Sequence, residues 1–245
     1  MDGHSGEVFA RLDSPFNVFV KGFIGGGGIV GGTMYDEDWG LAKKLSSTPT
    51  GYEITQSGIN GSFNYLTMDI GYNVLRGPDH KVGLFIGYNR YQTVMNTQRC
   101  TQLVSPESGV CAPSYPESVN GISEIDTWHS LRLGVSAQAR LWDRFKIDVD
   151  LAYLPYVYVD ALDIHRLREP PVSFPVSGTG SGVQSELILS YQATDAFSIG
   201  VGGRYWSMWT NNAYLADGSS FFTLNTDRYG VFLQLAYRFE TPKQR

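Results

Sequence analysis

Cysteine, positive charge and long apolar runs are all scarce in this 245-residue sequence, and each shortage excludes a class of protein. No stretch of 18 apolar residues exists, so the chain has no transmembrane helix. The formal net charge of −5 gives no electrostatic basis for nucleic-acid binding. The first seven residues lack the charged start and apolar core of a signal peptide. We therefore expect that such a leader has been removed or that the natural N-terminus lies elsewhere.

The two cysteines, Cys100 and Cys111, lie close together in a stretch rich in serine and proline. Two sulfurs without a nearby histidine or a second cysteine pair make a poor ligand set, so we expect no metal site. A disulfide that closes a 12-residue loop would suit an oxidising compartment. The sequence alone leaves the bonded and the free state open.

What the sequence has in abundance is glycine, tyrosine and a two-residue alternation of apolar and polar side chains. No helical period of comparable length occurs. The 28 glycines and 15 tyrosines suit strands whose aromatic side chains face lipid and whose small residues face a crowded interior. The alternation predicts nine strands, over about residues 7–12, 16–33, 60–76, 81–96, 126–142, 145–165, 181–193, 197–212 and 222–240.

Short and long connections alternate between these strands, which places all of the long loops at one end. The long stretches lie near residues 34–59, 97–125, 166–180 and 213–221. This is the anatomy of an outer-membrane barrel, with short periplasmic turns and long extracellular loops. A soluble barrel would have an apolar interior, whereas the non-apolar row here is charged. We predict one all-β, antiparallel transmembrane barrel over residues 1–240, with a C-terminal tail over 241–245.

Two pairs of ionisable residues with the same spacing stand at the long-loop end. Asp36 and Asp38 follow a glycine-rich strand, and Asp163 and His165 close another. Residues i and i+2 of an extended strand share a face, so each pair points at one spot. The pairs are four strands apart, so we expect them to confront each other across the lumen. Ordinary turn chemistry is the simpler explanation of either pair taken alone.

Two motifs make the sequence resemble the omptin family of outer-membrane proteases. Gly31–Trp39 matches the family's Gly-Gly-x-Met-x-Asp-x-Asp-Trp segment, and Phe145–His165 aligns without gaps onto the family strand that ends in Asp-x-His. The resemblance covers nearly the whole chain from about residue 7 and begins partway into the family's second strand. It implies a barrel of about ten strands, of which about nine are present. We therefore expect a missing strand and an unpaired sheet edge.

The resemblance implies an endopeptidase that hydrolyses peptide bonds with an activated water, without a metal or a covalent intermediate. Asp163 would orient and polarise His165, which takes a proton from the water. Asp36 and Asp38 would hold that water from the other side, and two carboxylates this close do not both ionise freely. His129 is the rival base, but it matches no family motif and we interpret it as a surface residue.

The alternation raises a geometric conflict around the Asp-x-His motif. The lumen-facing row of this strand begins at even positions such as Lys146, whereas Asp163 and His165 have odd numbers. A bulge near Pro155 or Asp160 is therefore required if the pair is to point inward.

Two features of the family are altered or only partly present. Omptins that cut beside basic residues carry a further acid two residues before the catalytic aspartate, where this sequence has Ala161. Asp160 and Glu169 are the candidate replacements. The family also binds lipopolysaccharide on the outer wall of the barrel, and Tyr88 and Arg140 match two of those positions.

The resemblance further implies peptide or protein substrates at the cell surface. We expect a monomer in the bacterial outer membrane with its active site facing the exterior, in contact with outer-membrane lipid. No cofactor is expected, although lipopolysaccharide is a candidate activator. A non-catalytic outer-membrane barrel, either an adhesin or a small-solute channel, is the alternative. The inward-facing Trp206 and Phe232 would obstruct a channel.

Overall fold

The structure is a computed structural model, and it describes residues 1–39, 52–104, 111–167, 170–218 and 221–239. Its strands join in one antiparallel sheet. They are β1 Asp2–Asp13, β2 Val18–Gly31, β3 Thr33–Trp39, β4 Tyr52–Arg76, β5 His80–Val104, β6 Ile122–Trp142, β7 Phe145–His165, β8 Val172–Gln192, β9 Phe197–Leu215, β10 Phe221–Phe222 and β11 Asn225–Tyr237. Within the described ranges, no helix is both long and apolar enough to cross a membrane.

These 11 strands occupy nine positions around the sheet. β2 and β3 are successive parts of one strand because both pair with β4, and β10 and β11 both pair with β9. The antiparallel all-β fold and its nine predicted strands are therefore confirmed. β1 and β11 are the two edges, and no pairing joins them in the part of the chain that the structure describes. The expected unpaired edge is thus present.

Several strands are longer than the alternation predicts, and β4, β5 and β8 exceed it most. β4 begins at Tyr52 instead of near residue 60, β5 continues to Val104 instead of ending near 96, and β8 begins at Val172 instead of near 181. Much of the predicted long loops is therefore strand. In these extensions both rows carry polar side chains such as Thr97 and Gln98, so the alternation fades while the backbone ladder continues.

Exposed apolar side chains form a band around the outside of the sheet. On β5, the outward-facing Leu84, Ile86 and Tyr88 are 40–54% exposed, and the next outward residue is the charged Arg90. Tyr88 lies opposite Leu131 of β6, which marks the same level on the neighbouring strand. Such a band is typical of the lipid-facing wall of a transmembrane barrel, and the strand ends beyond it project from that wall.

Charged side chains fill the lumen at the level of this band. The guanidinium of Arg132 donates to Asp69 at 2.9 Å, and neither side chain is more than 5% exposed. Lys21 approaches the same carboxylate at 3.8 Å and also pairs with Asp150. Each buried charge therefore has a partner of opposite sign, which offsets the cost of removing it from water.

A second group of ion pairs connects strands near the two edges of the sheet. Arg204 of β9 donates to Glu7 of β1 at 2.6 Å and also pairs with Glu186 of β8. Because β9 neighbours the edge strand β11, this contact brings the edge strand β1 close to the opposite side of the curled sheet.

A packed aromatic layer closes the lumen beyond the charged layer. Trp206 is 2% exposed and meets Tyr65 and Tyr91 edge-on, with ring centroids 5.6 and 6.0 Å apart. The buried members of this layer are Tyr65, Tyr91, Trp128, Leu154, Val157, Val159, Ala161, Trp206 and Met208. Trp206 therefore faces inward as predicted, and it obstructs the lumen.

Replacing Arg132 by methionine tests the charged layer. We expect Arg132→Met to destabilise the refolded barrel by about 3–5 kcal/mol in urea unfolding, because it removes the hydrogen-bonded partner of a buried carboxylate. Arg140→Met is the matched control on the same strand. Arg140 pairs with Asp79 at 3.8 Å with both side chains more than half exposed, so about 1 kcal/mol or less is expected. Equal losses in the two variants would contradict this assignment.

Candidate active site

The glycine-rich strand changes its lumen-facing row at Gly32. Ile29 lies opposite Gly61 of β4, but Thr33 lies opposite Gly58, so this strand carries one residue more than its partner. The φ angle of Gly32 is +142°, which side-chain-bearing residues rarely adopt. Glycine at this position therefore permits the extra residue.

The extra residue turns the end of this strand toward the lumen. Met34 packs against the buried Ile29 and Ile59, which fixes the inward row of β3. Asp36 lies in the same row, opposite the 8% exposed Thr55. Asp38 belongs to the same strand, but its side chain lies outside the described residues.

A second change of face occurs in β7 at Pro155. Leu154 lies opposite Gly182 of β8 and Val157 lies opposite Gly180, so two residues of β7 stand where β8 has one. Leu154 and Val157 are both fully buried, and the inward row therefore passes from even to odd numbers. The predicted bulge is confirmed at Pro155, which has no N–H to lose from the ladder.

Beyond this bulge, Asp163 and His165 share the lumen face. Nε2 of His165 lies 2.9 Å from Oδ2 of Asp163, and the His165 side chain is 13% exposed. The imidazole packs edge-on against Phe174 of β8, with ring centroids 5.3 Å apart. A carboxylate in this position fixes the orientation and tautomer of the ring.

Two acids of β6, which belong to neither sequence motif, join this cluster. Glu124 lies directly opposite Asp163, and Asp126 lies directly opposite Ala161. Glu124-Ile125-Asp126 has the same i, i+2 spacing as the other two pairs, so the sequence does hold a signal for them. Asp126 thus brings a carboxylate beside the position where the resemblance expects an acid.

Burial and nearby negative charge raise the pKa values of Glu124 and Asp126, which lie beyond the apolar band that ends near Leu131. Burial raises the pKa of Glu124 to about 8, and the charges of Asp126, Asp163 and Asp36 add to the rise. Burial and Asp163 together raise the pKa of Asp126 to about 6. Because the charge of Asp36 acts on Glu124, the β3 and β7 parts of the site share one electrostatic environment.

Other residues that the sequence singled out lie away from the cluster. His129 is on the outer wall, where its Nδ1 lies 2.5 Å from the Tyr88 hydroxyl, so it does not face the lumen. Asp160 is exposed on the same wall and cannot replace the missing acid at position 161. Glu169 lies outside the described residues.

Tyr88 and Arg140 do not lie at one level of the wall. Tyr88 is opposite Leu131, whereas Arg140 is opposite Lys146 and lies nine residues beyond Leu131 along β6. At about 3.3 Å per residue the separation is roughly 30 Å. The two residues therefore lie at different heights, and lipid binding at either position stays a prediction.

Cys100 and Cys111 form a disulfide with their Cα atoms 5.6 Å apart. Cys100 belongs to the projecting end of β5, so the bond fastens the following segment to that strand. In the described part of the chain, no three His, Cys, Asp or Glu side chains form a group that could hold a metal ion.

A similar barrel exists among solved structures, although no protein-family model and no curated protein matches the chain. It is the outer membrane protease OmpT from Escherichia coli, with a TM-score of 0.60 and 16% sequence identity. The similarity covers 90% of this chain and 82% of OmpT. This chain has an OmpT-like barrel fold. At so low an identity the similarity to OmpT shows the fold alone.

Replacing Glu124 by glutamine tests the electrostatics of the cluster. The pKa of Glu124 is about 8 in the fold and 4.5 ordinarily, so its contribution to stability is full below about pH 4.5 and is lost as the pH rises through about 8. We expect the urea midpoint of the wild type to fall between about pH 5 and 9, and that of Glu124→Gln to fall less.

The matched control for this titration is Glu117→Gln. The Glu117 side chain is 67% exposed and pairs with Arg99, so its replacement should leave the pH profile of the urea midpoint unchanged. Parallel profiles for the wild type and Glu124→Gln would show that Glu124 is not buried among like charges.

Proposed function

We propose that this chain is an omptin-like endopeptidase of the bacterial outer membrane, which hydrolyses peptide bonds at the exterior mouth of the barrel. The observation that carries the proposal is the hydrogen-bonded Asp163 and His165 pair, which faces the lumen in one acidic cluster with Asp36. The OmpT-like fold supports the location in the outer membrane and a protease function. Substrates are peptides or proteins at the cell surface.

Each side chain has a separate task in this reaction. His165 takes a proton from water while the water oxygen attacks the carbonyl carbon of the peptide bond. Asp163 orients the imidazole and stabilises the imidazolium that forms. Asp36, together with Asp38 two residues later, holds the water from the opposite wall. When the tetrahedral intermediate collapses, His165 returns its proton to the leaving amine.

The lumen beneath the cluster favours this function over a small-solute channel. Buried Trp206 and the paired Arg132 and Asp69 occupy the interior at two successive levels, so no wide aqueous path remains along them. An adhesin would explain exposed loops, but it gives no reason to bury acids beside a histidine at a cost in free energy. Activation by lipopolysaccharide and a monomeric state remain predictions.

Removing the imidazole tests the proposal directly. We expect His165→Ala to lower cleavage of a quenched peptide library by about 10²–10⁴-fold, because general-base catalysis typically contributes that much. Asp36→Asn should also lower it. The measurement compares refolded variants with and without lipopolysaccharide.

The matched control is His129→Ala, which removes a histidine from the outer wall of the neighbouring strand and should leave cleavage unchanged. Cleavage by His165→Ala at the wild-type rate would rule out the assigned base. An inactive wild type in lipopolysaccharide would overturn the protease function and leave the adhesin.

A further inference from the structure

Glu124 occupies the centre of the acidic cluster although neither family motif includes it. It lies directly opposite Asp163 in the β6–β7 register, and directly opposite residues of an antiparallel pair have Cβ atoms about 4.5–5.5 Å apart. Asp36 of β3 contributes to its electrostatic environment. The charges of Asp163 and Asp36, one from each proposed catalytic pair, therefore both act on Glu124.

The groups that face Glu124 are mainly acidic. Asp163 and His165 face it from β7, Asp126 lies two residues away on β6, and Asp36 faces it from β3. On the other side, β5 places the apolar Met95 opposite Glu124. Tyr91 is a titratable side chain of β5 near the cluster, and the charge of Asp126 acts on it. Arg228 is a cation near Tyr91, with its guanidinium carbon 5.5 Å from the ring centroid. Arg166 instead donates to Ser123, whose side chain points to the other face of β6 from Glu124.

The cluster contains acceptors that have no donor. Oδ1 of Asp163 and Oδ1 of Asp126 are both buried and have no hydrogen-bond partner among the residues that the structure describes. A buried acceptor without a donor costs free energy, about 1–3 kcal/mol each. A carboxylic acid that keeps its proton is a donor, whereas a carboxylate is not. A neutral Glu124 would place one O–H donor among these acceptors, and that donor can turn to a substrate carbonyl oxygen when one is bound.

We propose that Glu124 is a further catalytic residue, a neutral carboxylic acid whose O–H donates a hydrogen bond to the carbonyl oxygen of the scissile peptide bond. This inference rests on the proposed protease function. Its role is that of an oxyanion-stabilising donor, which acts where negative charge develops in the transition state. A carboxylic acid kept neutral by its surroundings is an established donor of this kind in other enzymes.

The atoms and charges of the step balance without a further reactant. The water O–H bond breaks, its proton moves to His165, and the new C–O bond places negative charge on the carbonyl oxygen. The Glu124 hydrogen bond stabilises that charge. The C–N bond then breaks, the carbonyl re-forms, and the amine takes the proton from His165. Glu124 keeps its proton throughout.

The test measures kcat and KM from pH 5 to pH 10 for the wild type, Glu124→Ala and Glu124→Gln. Glu124→Ala should lower kcat by about 10²–10³-fold with little change in KM, as expected for the loss of an oxyanion donor. Glutamine keeps a neutral N–H donor, so Glu124→Gln should recover most of the activity. It should also abolish the fall of kcat that the wild type shows as Glu124 ionises at alkaline pH.

Asp126→Asn provides a second, independent readout. Removing this negative charge favours ionisation of Glu124, so the alkaline fall of kcat should move to lower pH. Asp160→Asn makes the same change of charge on the outer wall of β7 and should leave the pH profile unchanged.

The outcomes separate this inference from the proposed function. If His165→Ala abolishes cleavage but Glu124→Gln keeps the wild-type alkaline fall, Glu124 is not the donor and the protease function stands. Wild-type kcat in Glu124→Ala would overturn the inference in the same way. If the wild type does not cleave, both fail. Should Glu124→Ala not fold, the Glu124→Gln and Asp126→Asn profiles decide the question.

Discussion

The two-residue period of an extended strand governs where every side chain at the mouth points. A strand that turns its odd residues to the lumen turns its even residues to the outside, so one inserted residue reverses every position that follows. The chain makes this insertion before Asp36, at Gly32, and before Asp163, at Pro155. Without the two insertions, both carboxylates would face away from the lumen.

The layers below the mouth explain how the fold tolerates a cluster of buried acids. Like charges held close together favour unfolding when they ionise, and Glu124 and Asp126 are in this position. The aromatic layer around Trp206 and the paired Arg132 and Asp69 provide apolar burial and charge compensation beneath them. The lower layers of the lumen therefore stabilise the fold, whereas the destabilising acids lie at its mouth. Functional sites commonly carry such a cost in stability.

The sequence predicts the direction of a strand's side chains only where apolar and polar residues distinguish its lumen-facing row from its outer row. The bulge at Pro155 was predictable, because the conflict between Lys146 and Asp163 required it. The change at Gly32 was not, because a glycine-rich stretch carries no side chains that distinguish its two faces. Glu124 lies in a polar strand end that looks like a solvated surface, and only its register opposite Asp163 reveals its position.

The central claim is that Asp36 and His165 share one activated water across the mouth of the lumen. A crystal structure of the refolded protein, at a resolution that shows bound water, tests it most directly. We expect one water within about 2.6–3.2 Å of both an Asp36 carboxylate oxygen and a ring nitrogen of His165. An Asp36 carboxylate too distant to share a water with His165, or an imidazole turned toward the outer wall, would contradict the claim.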